Sequence, residues 1–467
     1  MTSGTAAAPA LLWLRRELRL RDNAALAAAI ASGRPVLPVY VLDEATPGAW
    51  APGGAARWWL HHSLAKLASD LATLGANLVL RRGRIAEQLP RLVRETGAAE
   101  LHAGRPTEPW ARSAVAGLRR SLGIPLHLHR TVTLFEPESI RAQAGGPYGV
   151  FTPFARACRA RGEPSPGLPA PGRIAGAAPP ASDRLDDWKL LPTRPDWAGG
   201  FRESWSPGEA GGGARLEQFV AESLPDYHRT RDLPGIDGTS RLSPHLHFGE
   251  LSPDDAWRAA AGDGKGREMW RNELLWREFS AHLLWHAPHL PEAPLRPEYA
   301  AMPWRDDPPA LLAWQRGRTG LPIVDAGMRQ LWHTGWMHNR VRMIAASFLC
   351  KHLLLPWQAG AAWFWDTLVD ADLASNSAQW QWVAGCGADA APYFRIFNPV
   401  LQGRKFDPDG DYVRRWVPEL ARVPARHIQA PWEAPELGDS YPRPIVELAA
   451  GRERALAAFA TVTRAKA

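Results

Sequence analysis

Residues 11–42, LLWLRRELRLRDNAALAAAIASGRPVLPVYVL, read as strand, helix and strand in succession. LLWL and PVLPVYVL are short apolar runs suited to a pleated, buried surface, and the spacing over 22–31 predicts the helix between them. The alternation continues with a helix over 55–74, then NLVLRR, a helix, AELHAG, a helix and PLHLHR, which ends at Arg130. Strands alternating with helices predict a doubly wound parallel sheet, an α/β fold. No GxGxxG follows the first strand, which runs instead into WLRRELRLRDN, so an ordinary dinucleotide site is not expected there.

A chain of 467 residues is too long for a single core, and composition divides it. After an α/β domain over 1–130, residues 131–213 turn rich in Pro, Gly, Ala and Ser (PSPGLPAPGRIAGAAPPAS, then SPGEAGGG), which predicts a long connection packed over the surface. Residues 214–467 are expected to form an all-helical domain, with helical spacing over 266–286, 322–335, 338–354 and 358–384. Fifty-five Lys and Arg against 48 Asp and Glu leave a net charge of +7, which points toward a polyanionic partner. Three widely separated cysteines exclude a disulfide framework or a zinc ribbon, and the chain has no uninterrupted apolar run that could span a membrane. A cytoplasmic monomer without membrane contact is expected.

Twenty-three tryptophans outnumber the 7 Tyr and 13 Phe together, and the excess lies between Trp257 and Trp382. Indoles stack on planar rings and can give up electrons, although most of these are expected to be helical core, including Trp314, Trp332, Trp336, Trp363 and Trp365. In GIDGTSRLSPHLHFGELSP (235–253), Thr239, Ser240 and Ser243 surround a turn before Pro244 opens a helix. That arrangement suits a phosphate, and an ordinary helix cap would look the same. His245 and His247 lack a partner set for a metal and read as structural; no metal site is expected.

In WRNELLWREFSAHL (270–283), Glu273, Trp276 and Arg277 share a helical face that offers an unstacked base an acceptor, a stacking plane and a cation. A surface ion pair beside a core tryptophan is the alternative. In GWMHNRVRM (335–343), Asn339 and Met343 share a face while Arg340 points elsewhere. In DADLASNSAQWQW (370–382), Asp370 and Asp372 flank a turn, and Asn376 falls on the face of Trp380; the carboxylates could equally solvate a helix start. No serine-hydrolase elbow, HExxH, Walker loop or CxxC occurs.

GTSRLSP, WREF, TGLPIVDAGMRQLWHTGWMHNRVRM, DADLASNSAQWQW and ADAAPYFRIFNPVLQGRKFD together resemble the photolyase/cryptochrome flavoprotein family, most of all its class I cyclobutane pyrimidine dimer photolyases. The resemblance runs from WLRRELRLRDN to YPRPIVE (441–447). It implies a U-shaped FAD in the helical domain and light-driven repair of UV-damaged DNA by a carbon–carbon lyase. By match to the family's motifs, Tyr227, Thr239, Ser240, Leu242 and Ser243 would hold the FAD phosphates. Trp270, Asn339 and Arg342 would line the cofactor cavity, Asp370 and Asp372 would contact the ring and ribose side, and Asn376 would face flavin N5. An amide at that last position belongs to photolyases, whereas plant-type cryptochromes commonly carry aspartate and animal ones cysteine, so Asn376 favours repair over a blue-light photoreceptor.

The resemblance further implies that Trp276 and Trp382 clasp two flipped pyrimidines, with Glu273 hydrogen-bonding them, Met343 as apolar neighbour and Arg277 beside them. HNRVRM is similar to the cyclobutane-dimer type and unlike the (6-4) branch. Arg231, Arg340 and Arg395 match positions that grip DNA phosphates, and Trp380, Trp357 and Trp304 match an electron-hopping chain from flavin to surface. Trp110-Ala111 replaces the Asn-Glu pair of folate-binding relatives, and Pro291-Glu292 lies where they carry a lysine. GGAARWW (53–59) resembles relatives that hold a deazaflavin, so a deazaflavin antenna is preferred to methenyltetrahydrofolate.

Overall fold

The computed structural model describes residues 7–390, 394–434 and 441–466, so residues 391–393 of the ADAAPYFRIF motif lie outside the described residues. The expected alternation is present: β1 (Ala10–Leu14), α1 (Ala24–Ala31), β2 (Val36–Leu42), α2 (Gly54–Thr73), β3 (Val79–Arg82), α3 (Ile85–Thr96), β4 (Glu100–Gly104), α4 (Pro109–Ser121) and β5 (Leu126–His129). The strands form one parallel sheet in the order β3-β2-β1-β4-β5. Successive side chains of β1 serve opposite cores, Leu12 and Leu14 on one face and Leu11 and Trp13 on the other. A central strand covered on both faces has no reason to alternate polar with apolar, which is why ALLWL is buried throughout.

Beyond β5, residues 175–177 of the connection lie alongside the start of β2, with Val36 N donating to Ala175 O at 2.8 Å and Ala177 N to Val36 O at 3.0 Å. The connection also contains α5 (Phe151–Arg159), and α6 (Glu209–Glu222) runs across the 213/214 boundary drawn from composition. Within this helix Gly211 is required by close packing, since a Cβ there would lie 1.8 Å from Ser206 O.

The helices that build the site are α7 (Ser243–His247), α8 (Lys265–His286), α9 (Pro322–Thr334), α10 (Asn339–Ser347), α11 (Trp357–Thr367) and α12 (Leu373–Ala384). The stretch 358–384, expected as continuous helical spacing, is broken over residues 368–372. Asp372 caps α12 there, its Oδ1 accepting from Ser375 N at 2.9 Å, and Val369 N donates to Gly335 O at 2.8 Å. The break turns Asp370 away from helical pairing and toward the interior of the domain. The three cysteines are buried and free. Among the described residues no helix is long and apolar enough to cross a membrane.

Candidate functional site

One cavity of about 450 Å³ opens between α8, α10 and α12 and the turn before α7, a size typical of ligand sites. Tyr227, Thr239, Ser240, Leu242 and Ser243 line one part of its wall, and Trp270, Asn339, Arg342, Asp370, Asp372 and Asn376 another. Glu273, Trp276, Arg277, Arg340, Met343, Trp380, Trp382 and Arg231 complete it. Residues 155 positions apart in sequence, from Tyr227 to Trp382, thus share one space.

The turn before α7 is not an ordinary cap. Leu242 occupies the cap position with no side-chain hydrogen bond, and the hydroxyl of Ser243 instead donates to Asp370 Oδ2 at 2.6 Å. Arg342 donates to the same oxygen at 2.9 Å and, through Nε, to Met337 O at 2.7 Å. The other oxygen, Asp370 Oδ1, is buried with no partner. A buried acceptor without a partner costs free energy until a donor reaches it, and Asp370 lines the cavity, so this wall fits a ligand that carries N–H and O–H groups, as FAD does.

Asp372 lines the cavity and is also tied into the fold. Its Oδ1 caps α12, and its Oδ2 accepts from Arg16 at 2.7 Å. Arg16 comes from the loop after β1 and also donates to Glu108 Oε1 at 2.6 Å and His247 O at 3.0 Å. Burial alone would raise the Asp372 carboxyl, but Arg16, with His247 behind it, holds it well below the usual carboxylate range. The residue joins the two halves of the chain. Asn376 donates its amide N–H to Ala361 O at 3.0 Å, which leaves its carbonyl oxygen for a ligand.

On the opposite wall, Trp276 stacks face to face on Phe151, with ring centres 3.7 Å apart and planes within 4°. Trp382 donates its indole N–H to Asp389 O at 3.1 Å. Glu273 pairs with Arg231 and not with Arg277. Burial raises the Glu273 carboxyl, and the Arg231 guanidinium works in the opposite direction. Arg277 spends its guanidinium on Val132 O at 2.7 Å and Leu246 O at 3.2 Å, so it braces the wall and does not present a cation to a base. Asn339 and Met343 lie side by side as expected, 4.0 Å between Nδ2 and Sδ, while Arg340 reaches Asp232 at 2.9 Å and lies over the Phe406 ring.

Trp304, Trp357 and Arg395 are not on this cavity. Trp380 lines it, Trp357 is buried at the start of α11, and Trp304 is partly exposed, all three adjoining one apolar cluster. The ring contacts of Trp380 run to Phe364 at 5.0 Å and Trp314 at 6.2 Å. Arg395 is exposed and borders, with Trp382, a small adjacent pocket. Of the tryptophans expected as core, Trp314 and Trp336 are buried, Trp336 also lining the cavity, while Trp332, 55% exposed, stacks on Trp363 at the surface.

Phe151 and Arg16 escaped the sequence reading. Phe151 is 125 positions from the indole it supports, within a stretch whose composition reads as connection. Arg16 lies in WLRRELRLRDN, yet only the folded chain brings it to Asp372. In GGAARWW the glycines reflect a close approach, since a Cβ on Gly53 would lie 2.4 Å from Asp366 Cα, and Trp58 and Trp59 are core. Ala56 and Trp110 do line a second cavity of about 140 Å³ at the carboxyl ends of β1 and β2, with Tyr40, Trp50 and Asp43.

Comparison with known proteins agrees with this geometry. Residues 10–172 match the DNA photolyase family model, and residues 270–461 match the model of the FAD binding domain of DNA photolyase. The chain is 49% identical to the deoxyribodipyrimidine photo-lyase of Agrobacterium fabrum over 98% of both chains. It is 37% identical to cryptochrome-1 of Arabidopsis thaliana, over 95% of this chain and 69% of that one. A crystal structure from Agrobacterium tumefaciens superposes with a TM-score of 0.95 at 47% identity, covering 99% of each chain; it is described as a bacterial class III photolyase, so this match supports the family without supporting the class I assignment. With an FAD-binding helical domain, a parallel-sheet domain and near-complete alignment to such relatives, the chain belongs to the DNA photolyase family.

Proposed function

We propose that this protein splits cyclobutane pyrimidine dimers in DNA using light. The observation that carries the reading is the shared cavity: Asp370, Arg342 and Asn376, which suit a flavin, face the same space as Glu273, Trp276 and Trp382, which suit a flipped pair of bases. Held by Asp370, Arg342 and Asn376, reduced FAD would supply light-driven electron donation to the dimer, whose two cyclobutane carbon–carbon bonds would break with return of the electron and no net redox change.

The protein's part is positional. Asp370, held by Ser243 and Arg342, offers Oδ1 to the cofactor, and Asn376 offers its carbonyl oxygen to the flavin edge. Tyr227, Thr239, Ser240 and Leu242 form the phosphate end, with Trp270 and Asn339 as walls. Trp276, backed by Phe151, and Trp382 clasp the pyrimidines, Glu273 hydrogen-bonds them, and Met343 excludes water. Flipping costs a few kcal/mol and least at a distorted lesion, which supplies part of the selectivity. Arg395 is the exposed candidate for phosphate contact, and Arg231 and Arg340 act through Glu273 and Asp232. Trp304, Trp357 and Trp380 pass electrons inward to reduce the cofactor. In this division the helical unit, 214–467, works on the lesion, and the α/β unit, 1–130, holds a second chromophore in the 140 Å³ cavity. Trp110-Ala111 favours a deazaflavin there over methenyltetrahydrofolate.

The test is illumination of the reduced protein with a thymine-dimer oligonucleotide, followed by chromatography of the released thymines. Dimers that persist under near-UV light refute the proposal; light-driven flavin reduction without splitting would point to a photoreceptor.

A further inference from the structure

At the outer edge of the sheet, the sequence ELH of β4 sets Glu100 and His102 two residues apart, and HLH of β5 does the same for His127 and His129. Strand side chains repeat every two residues, so each pair shares a face. Parallel register places His102 opposite His127 and Gly104 opposite His129, which gathers all four groups on one side of the edge. Leu101, Leu126 and Leu128 face the core on the other.

The two oxygens of Glu100 lie 3.5 Å from His102 Nε2 and 3.6 Å from His127 Nε2. Ligand atoms about 2.0–2.2 Å from a tetrahedral zinc ion stand about 3.4 Å from one another, so these gaps are those of groups around a common centre. His102 is 6% exposed, and both its Nε2 and Glu100 Oε1 are buried without a hydrogen bond. His102 Nδ1 lies 3.1 Å from His129 Nε2. In the tautomer with the His102 Nδ1–H donating along that line, the Nε2 lone pair faces a carboxylate oxygen, an arrangement that a cation relieves; in the other tautomer Nε2–H faces the carboxylate instead. His127 stacks on His102 with ring centres 4.9 Å apart, so both imidazoles lie beside the same carboxylate. Arg34 lies 3.7 Å from Glu100 Oε1, is 41% exposed along its side chain and also donates to Ala8 O at 3.2 Å.

We propose that Glu100, His102 and His127 bind a divalent transition-metal ion of the zinc class, with His129 orienting His102 and a water completing the site on the exposed side of His127. Imidazole with carboxylate suits such ions and not magnesium or calcium, and a histidine ligand that donates its second ring N–H to a neighbour is the usual supporting arrangement. The ion would pin the edge strand β5 to β4, more than 25 residues having passed between Glu100 and His127.

Calorimetric titration of the metal-stripped, FAD-loaded full chain with Zn²⁺ and, separately, Mg²⁺ tests this. One Zn²⁺ and no Mg²⁺ should bind, and Zn²⁺ should raise the thermal midpoint. Loss of an outer partner costs about 10–100-fold in affinity, so His129→Ala should lose about that much and Glu100→Gln or His127→Ala more. His127 is exposed, so His127→Ala should fold, and its dimer repair should match wild type because the FAD cavity is untouched. Absence of Zn²⁺ binding to the wild type, or unchanged affinity in His127→Ala, overturns the proposal.

Discussion

Replacing Arg16 with methionine tests whether the sheet domain holds the floor of the FAD cavity. The guanidinium donates to Glu108 at 2.6 Å, Asp372 at 2.7 Å and His247 O at 3.0 Å, and the three side chains are at most 15% exposed. Methionine preserves much of the stem and removes the charge, leaving two buried carboxylates without it. Removing one partner of a buried pair costs about 3–5 kcal/mol. Arg15, 3.8 Å from Glu108, remains to shield that carboxylate, so the loss should fall mainly on Asp372. Urea unfolding of wild type, R16M, D372N and R16M/D372N reads this directly: R16M should lose about 3–5 kcal/mol, and the double variant less than the sum of the singles. The sign with pH is fixed as well. Asp372 is depressed from an ordinary value of 3.8, so its contribution is present above that value and lost as pH falls toward the folded one. Without Arg16 the buried Asp372 is raised above its ordinary value of 3.8, so the gap between wild type and R16M should begin to narrow already above that value and go on narrowing as pH falls toward the wild-type folded value. A cost under about 1 kcal/mol, or strict additivity, would refute the reasoning.

Trp276→Ala and Trp382→Ala should each weaken binding of a thymine-dimer oligonucleotide by about 5- to 150-fold, the equivalent of about 1–3 kcal/mol of base stacking; unchanged affinity in a gel-shift titration would remove them from the lesion site. Phe151→Ala, which removes only the ring behind Trp276, should cost less than Trp276→Ala in the same titration. Trp357→Phe should slow photoreduction of oxidised FAD, followed by absorbance, while dithionite-reduced protein repairs at the wild-type rate; a matching loss of repair would contradict the relay. Burial raises the Glu278 carboxyl from 4.5 to about 7, so the folded state holds a proton that the unfolded chain has released, and stability contributed by Glu278 falls between those values. Glu278→Gln should flatten the stability profile between about pH 4.5 and 7, checked by thermal unfolding across that window.

The sheet was legible because its signal is local: LLWL, PVLPVYVL and their neighbours carry strand periodicity within a few residues. The cavity was legible for a different reason, since long motifs such as DADLASNSAQWQW keep cofactor and base residues within one or two helical turns. What stayed hidden depends on pairing across the fold. Glu273 and Arg277 have ion-pair spacing, yet Arg231, 42 residues earlier, claims the carboxylate. Asp372 lines the cavity as its motif suggests, but its partner Arg16 lies 356 residues away. The strands AELHAG and PLHLHR were found as strands, but only their register assembles Glu100, His102 and His127.

A Cβ built on Gly360 would lie 2.1 Å from Trp380 Cη2, so α11 and this indole touch where a single carbon is missing. Electron tunnelling weakens exponentially with distance, and in the proposed relay Trp380 stands between the cavity and Trp357, on the same helix as Gly360. Alanine there would leave the charge unchanged but press on the buried Trp380 and Leu349, at a cost of about 1–3 kcal/mol, and push the ring aside. In the proposed relay the speed of charge transfer would therefore be set in part by an atom that the gene leaves out, and Gly360 would be a position from which that speed could be tuned.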